Sequence, residues 1–308
     1  MRKIWRPAAW PDASGDPKRL RILVLTNLYP PHYIGGYELV CLDVVNHLRR
    51  QGHAVTVLTS SFGLTSPALD GEIHRTLTFQ TPLALSRGDL IRREWQARQA
   101  FRRAIARSAP DVIYHFCLFG IPKSLLYAAQ RIGVPVVYDF SAEWLYPDCG
   151  DDLWFRFWGS PAGRPHRQVA KAVLRRFLDP WFPTGRETLD LSRSYFTSER
   201  IKEIFLRAGF PVADAAVIYR GVDTRRFQPA PERIPPGPLP LLFAGRITKD
   251  KGLHTVIEAL GILTKTGLAG SVSLTVAGPE QDATYANEVR RTIRSLCLED
   301  QIRFVGLV

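Results

Sequence analysis

Arg246, Lys249 and Lys251 sit in one short stretch flanked by Gly245 and Gly252, and their types and spacing suit the neutralisation of a phosphate anion. A guanidinium offers phosphate oxygens a planar fork, and an ammonium adds a mobile point charge. Residues 241–244 (LLFA) before them read as a buried strand. Apolar residues after them recur at Leu253, Val256, Ile257 and Leu260, one face of a helix. A strand that enters a helix through a glycine turn directs backbone N–H groups and the positive end of the helix dipole at whatever lies there. A plain solvated turn with ordinary surface cations stays open beside the anion site.

A second glycine-bearing turn has the same form. Residues 21–27 (RILVLTN) read as the first strand. Residues 28–36 are a loop stiffened by Pro30 and Pro31 and freed by Gly35 and Gly36. A helix with Leu39, Cys41, Leu42, Val45 and Leu48 on one stripe follows, closed by Gly52, and 54–59 (AVTVLT) is the second strand. Strand, helix, strand makes a βαβ unit with parallel pairing, whose ligands bind beyond the C-terminal strand ends. Paired glycines there bring the backbone close to a ligand with no Cβ between, although a tight turn asks for the same residues.

Further strands are expected at 73–79, 111–117, 134–140, 195–198 and 216–219, with helices at 125–132 and 199–207. His115 and Asp139 fall near strand C-terminal ends. His115 reads as a general base, a sugar contact or, preferably, a structural histidine with satisfied hydrogen bonds. A basic helix at 89–107 carries Arg92, Arg93, Arg98, Arg102, Arg103 and Arg107, with Ile91, Trp95, Phe101 and Ile105 as its apolar positions. Such a helix can meet RNA or anionic lipid, but a solvated face is the simpler reading.

Between residues 141 and 186 the alternation of strand and helix stops. Trp144, Trp154, Trp158 and Trp181 lie here with Phe155, Phe157, Phe177 and Phe182, and with Arg164, Arg167, Lys171, Arg175 and Arg176. Residues 169–178 have the pattern of a cationic amphipathic helix. The stretch reads equally as a contact for an anionic membrane, with Trp154 and Trp158 as the residues to substitute, or as a satellite core.

The 308 residues suggest two domains, and a hydrophobic content of 45% is enough for ordinary cores. The charge balance, 41 − 29 = +12, points to an anionic partner. Cys41, Cys117, Cys149 and Cys297 are far apart with no Cys-x-x-Cys pair, which argues against a disulfide framework or structural zinc and fits a reducing cytosol. No run approaches the ~18 apolar residues of a membrane span. Residues 1–19 lack the apolar region of a signal peptide and read as a flexible tail. The expected division is 20–228 for the first domain and 229–240, with six prolines in twelve residues, for a linker. A second domain then spans 241–308, with strands at 271–277 and 301–305 and a helix at 285–296. Three strands and two helices amount to about half of a doubly wound domain, so this one is expected to be incomplete.

Taken in order, Pro30-Pro31…Gly35-Gly36-Tyr37-Glu38, Gly221-Val222-Asp223…Phe227, Gly245-Arg246…Lys251-Gly252 and Val276-Ala277-Gly278 resemble the family 4 (group 1) glycosyltransferases. The resemblance runs from Arg21 onward. It implies the α/β GT-B fold: two Rossmann-like parallel-sheet domains facing each other across a cleft, the first for the acceptor and the second for the nucleotide-sugar donor. It implies a retaining, metal-independent transferase with no cofactor, acting on a lipid-linked or polysaccharide acceptor. Arg246 and Lys251 would carry the catalysis by binding the donor diphosphate. Gly35, Gly36, Gly245 and Gly278 would be donor-binding. Nucleic acid is not an expected partner. The expected location is cytoplasmic, peripheral on the inner face of the cytoplasmic membrane.

The family also carries a Glu-x7-Glu element beyond the strand that ends here near Val305. This chain stops at Val308 without it, so it reads as C-terminally truncated and inactive alone. Two other readings stand beside the transferase: a non-enzymatic basic adaptor docking on anionic membrane or nucleic acid, and, less favoured, a GT-B sugar-nucleotide epimerase.

Overall fold

The computed structural model describes residues 19–79, 86–145, 152–161, 163–184, 188–229, 237–268 and 270–307. The expected N-terminal tail, Cys149 and most of the proline-rich linker lie outside them. The chain divides into two compact units, one up to Gly221 and one from Val222.

The first unit is built on one sheet. Its strands are β1 (Arg21–Thr26), β2 (Ala54–Ser60), β3 (Ala68–Asp70), β4 (Ile73–Leu77), β5 (Val112–Cys117), β6 (Val136–Phe140), β7 (Ser194–Phe196) and β8 (Ala216–Val217). They lie in the order β3-β4-β2-β1-β5-β6-β7-β8, all parallel except β3. The central strands are mostly apolar on both faces because both faces are covered. Ile22 and Val24 of β1 pack towards Cys41 and Val45 of helix α1 (Gly36–Arg50). Leu23 and Leu25 face the other way, into a core with Ala97, Phe101 and Ala104 of α2 (Arg87–Ser108) and Leu125 and Leu126 of α3 (Ser124–Gln130). The short antiparallel β3 was not legible in residues 61–80.

In α2 the buried row is Leu90, Glu94, Ala97, Phe101 and Ala104, while Ile91 and Trp95 are exposed. The expected apolar face is therefore rotated. Small alanines let α2 lie close to the sheet, and Glu94 turns inward to accept a hydrogen bond from the Ser124 hydroxyl at 2.5 Å. Burial, and then the nearby Asp152 charge, hold the Glu94 carboxyl well above the usual carboxylate range.

The 141–186 region holds helices α4 (Leu153–Gly159) and α5 (Pro165–Leu178). It divides the aromatics between the two expected roles. Trp144 joins the main core, and Trp154 and Trp158 form a satellite core with Leu90. Trp154 is 1% exposed and Trp158 5%, so neither can meet a membrane and the pair expected to do so is corrected. Helix α6 (Glu199–Arg207), capped by Ser198, completes the unit.

The second unit carries β9 (Leu239–Ala244), β10 (Val272–Ala277) and β11 (Ile302–Gly306), parallel and in the order β11-β10-β9. Helices α7 (Leu253–Leu263) and α8 (Ala283–Ser295) bury Leu253, Ile257, Leu260, Val289 and Ile293 against one face of this sheet. Among the described residues the other face is open, with Leu242 69% exposed. The strand at 241–244 is thus covered on one side only, although its continuous apolar run reads as buried.

Candidate functional site

The stretch from β9 to α7 positions the sequence-predicted cations. After Ala244 the chain passes through Gly245 and Arg246 into a 3-10 turn at Lys249–Lys251, and Gly252, at φ 74°, reverses it into α7. The expectation of free N–H groups in this turn is not met at five positions. The N–H groups of Gly245, Ile247, Thr248, Lys251 and Gly252 are held by backbone carbonyls of the same unit. Those five N–H groups cannot also meet an anion, and the side chains are the evident source of attraction. Arg246 Nη1 donates to Gln281 Oε1 at 3.1 Å, and its Nη2 lies 3.7 Å from Asp250 Oδ2. Lys251 Nζ lies 3.7 Å from the same Asp250 oxygen. These pairs are long and solvated, so each holds its cation only weakly and leaves it able to meet an anion that makes shorter contacts.

Gly278 is buried at the end of β10, beside this turn, with φ 144°. A Cβ there would stand 1.9 Å from the carbonyl oxygen of Gly245, so only glycine lets the β9 and β10 turns touch. The structure thus brings Gly245, Arg246, Lys251 and Gly278 together at the C-terminal ends of β9 and β10. It adds Gln281, which the sequence reading missed because the contact spans 35 residues.

In the first unit, Gly35 and Gly36 begin α1 beyond the end of β1. Gly35 has extended backbone, and its N–H donates to Glu38 Oε2 at 3.0 Å. A Cβ on Gly36 would meet nothing within 4 Å, so the fold itself makes no demand for glycine there. We expect Gly36→Ala to keep or slightly raise the denaturation midpoint, since alanine is the better helix former by ~0.5–1 kcal/mol. Anionic-ligand affinity should fall about tenfold if the bare backbone receives the ligand; unchanged affinity by calorimetric titration would take Gly36 out of the ligand site.

A second cluster in this unit was only half visible in the sequence. Asp139, 0% exposed, accepts hydrogen bonds from Ser141 Oγ at 2.6 Å, Tyr195 Oη at 2.5 Å and Arg220 Nη2 at 2.6 Å. Tyr114 Oη bonds to Tyr195 Oη, and Tyr37 Oη donates to the Phe116 carbonyl at 2.8 Å. Arg220 stacks over the Phe116 ring at 5.2 Å. Burial works against the Arg220 charge, but Asp139 outweighs it and raises its pKa. Burial and then Asp139 push the Tyr195 hydroxyl up as well, so it stays a donor. The signal in the sequence was Asp139 at the end of a strand; apart from Ser141, its partners come from as far as 102 positions away, and no local pattern announces them.

His115 is neither base nor satisfied. It is fully buried, stacked on Tyr138 with ring centroids 5.3 Å apart, and neither ring nitrogen has a partner among the described residues. Burial lowers its pKa to about 3. Below pH ~6.5 the unfolded chain takes up a proton that the folded chain refuses until about pH 3. Stability should therefore be constant in this term above ~6.5 and fall by up to ~1.4 kcal/mol per pH unit below it. In His115→Leu that slope should vanish, and stability at pH ~7 should be equal or higher because two unpaired nitrogens are removed. Urea titrations of both proteins at two pH values decide this; parallel losses would show that His115 does not refuse the proton.

No group of three or more His, Cys, Asp or Glu is placed to hold a metal ion among the described residues. Residues 34–226 match Glycosyltransferase Family 4, and residues 224–308 match the glycosyl transferases group 1. The chain is 27% identical over 283 residues to a glycogen synthase of Mycobacterium tuberculosis, a match covering 85% of this chain and 63% of that protein. It therefore spans less than two thirds of the length of that curated relative. Its structure resembles Anabaena Alr3699/HepE in complex with UDP and glucose, with a TM-score of 0.56 and 19% identity over 94% of this chain and 70% of that one. WaaG, a glycosyltransferase involved in lipopolysaccharide biosynthesis, gives a TM-score of 0.56 and 15% identity over 93% of this chain and 70% of that chain. The shared fold is the α/β GT-B fold.

Proposed function

The chain belongs to Glycosyltransferase Family 4, and from that membership we propose that it moves a sugar, with retention, from a nucleoside diphosphate sugar to a polysaccharide or lipid-linked acceptor. The observation that carries this reading is the convergence of Arg246 and Lys251 on Asp250 at the end of β9, next to the close approach of Gly245 and Gly278. When the bond between sugar and diphosphate breaks, negative charge grows on the departing β-phosphate. The Arg246 fork and the Lys251 ammonium meet that charge more strongly in the transition state than in the ground state, which is how they lower the barrier. The reading needs no resident metal, because these two side chains supply the counter-charge. UDP and glucose accompany the related Anabaena fold, and this supports a nucleotide sugar as the co-substrate here.

Calorimetric titration with UDP, GDP and their sugar nucleotides tests the proposal. Saturable binding by one base, lost in Arg246→Ala, is expected. Absence of binding by every nucleotide would remove the donor reading. The adaptor reading has no comparable support, since both halves of the chain match transferase families.

A further inference from the structure

We infer that the outer face of α5, continued by Trp181, docks the protein on an anionic lipid bilayer. Helix α5 is turned inside out. Its inward row is polar: Lys171 Nζ donates to the carbonyl oxygens of Phe157 and Ser160 and lies 5.0 Å over the Phe157 ring. Arg175 donates from Nε to Thr184 Oγ1 at 2.9 Å and from Nη2 to the Thr184 carbonyl at 2.6 Å. The outward row is apolar. Val169 is 64% exposed, Val173 50%, Phe177 71% and Trp181 68%, and no residue of α5 is buried. A spacing of four places Val169, Val173 and Phe177 on one helical row, about 12 Å long, and Trp181 follows in the turn that closes the helix. Single exposed apolar side chains need no explanation, but a continuous row on a helix held by polar anchors does.

Charge selects the occupant. Residues 153–178 contain no Asp or Glu, and carry Arg156, Arg164, Arg167, Lys171, Arg175 and Arg176. Asp179, the next acid, is paired to Arg131 at 2.8 Å. A second copy of this chain docked on the same face would set this cationic stretch against itself, because a two-fold interface is self-complementary. An anionic bilayer supplies both halves of what the face requires. Its acyl boundary takes Phe177 and Trp181, and its headgroups meet Arg164, Arg167 and Arg176, whose stems lie along the interface. No described helix is long and apolar enough to cross the bilayer, so the contact is made from one side. The inference does not depend on sugar transfer, and its readout is lipid binding alone.

The test is co-sedimentation of the whole 308-residue chain with vesicles of phosphatidylcholine and with equimolar phosphatidylcholine and phosphatidylglycerol. The expected result is binding to the anionic vesicles only, weakened about tenfold or more both by Phe177→Ser with Trp181→Ser and by Arg167→Glu with Arg176→Glu. Melting followed by circular dichroism should be unchanged in both variants, because these side chains are exposed. No binding by the native chain would overturn the inference. So would equal binding by the Phe177/Trp181 variant, which would place the contact on another cationic surface. A dimer dispersed by those substitutions, with no lipid binding, would assign the face to a second copy and overturn it as well.

Discussion

On the proposed reading, replacing Arg246 by alanine is expected to lower sugar transfer by about 10²–10³-fold while leaving the fold intact. The magnitude is that of removing one preorganised donor from a site of developing negative charge. The selectivity follows from the contacts of Arg246. Its side chain is 37% exposed and makes one hydrogen bond, to Gln281, and one long ion pair, to Asp250. Exposed pairs of this kind contribute ~0–1 kcal/mol, so the denaturation midpoint should scarcely move. Arg246→Lys should recover part of the loss, since it restores the charge but not the fork. Lys251→Ala should cost less than Arg246→Ala, because a single ammonium on a flexible stem is replaced more easily by water and salt. Steady-state turnover against donor concentration, beside urea denaturation, separates these outcomes. A change in stability equal to the change in activity would move Arg246 from chemistry to structure.

The residues that anchor this prediction were legible because their elements are local. The strand, the glycine turn and the helix around Arg246 occupy consecutive residues, and an apolar run followed by a helical repeat needs no distant partner to be read. The same holds for the βαβ unit around Gly35 and Gly36. Burial was less legible. Leu242 belongs to a strand as apolar as β1, yet it is exposed, because covering both faces depends on elements elsewhere in the chain. The 141–186 region shows the limit most clearly. An amphipathic pattern reports that α5 has two faces, but not which one the rest of the protein holds. The usual assignment, apolar inward, fails here because backbone carbonyls at Phe157, Ser160 and Thr184 receive Lys171 and Arg175 instead. Composition likewise could not separate Trp154 and Trp158, which fill a core, from Trp181, which does not.

Asp139 is the extreme case of a contact that no local pattern discloses, and its removal carries the largest expected cost in stability. Asp139→Ala should destabilise the protein by about 3–5 kcal/mol, the cost of breaking a hydrogen-bonded charge pair by removing its fully buried member. Its donors lose their acceptor at once: the Ser141 and Tyr195 hydroxyls and the Arg220 guanidinium at close range, and the Tyr37 and Tyr114 hydroxyls at 3.3 and 3.5 Å. Removing the other member should cost less. The Arg220 side chain is 30% exposed, so water reaches the place it leaves, and hydrogen bonds from hydroxyls still hold the carboxylate of Asp139. In Arg220→Ala the carboxylate keeps its hydroxyl donors, and water can enter where the guanidinium stood. An asymmetry of this kind distinguishes a buried acceptor organised by its neighbours from a simple ion pair, in which either deletion costs the same. Asp139→Asn sharpens the comparison. It keeps the volume and one acceptor oxygen, but its amide turns two donors towards a site already filled with donors, so it should fall between the wild type and alanine. Urea denaturation of the three single variants measures all of this. Equal costs for Asp139→Ala and Arg220→Ala would reduce the cluster to a salt bridge, and a cost below about 1 kcal/mol for Asp139→Ala would place it among surface pairs. The order Ala above Asn at position 139, with Arg220→Ala below Asp139→Ala, would show that the carboxylate is what holds the ends of β6 and β7 and the segment leading to Gly221 together.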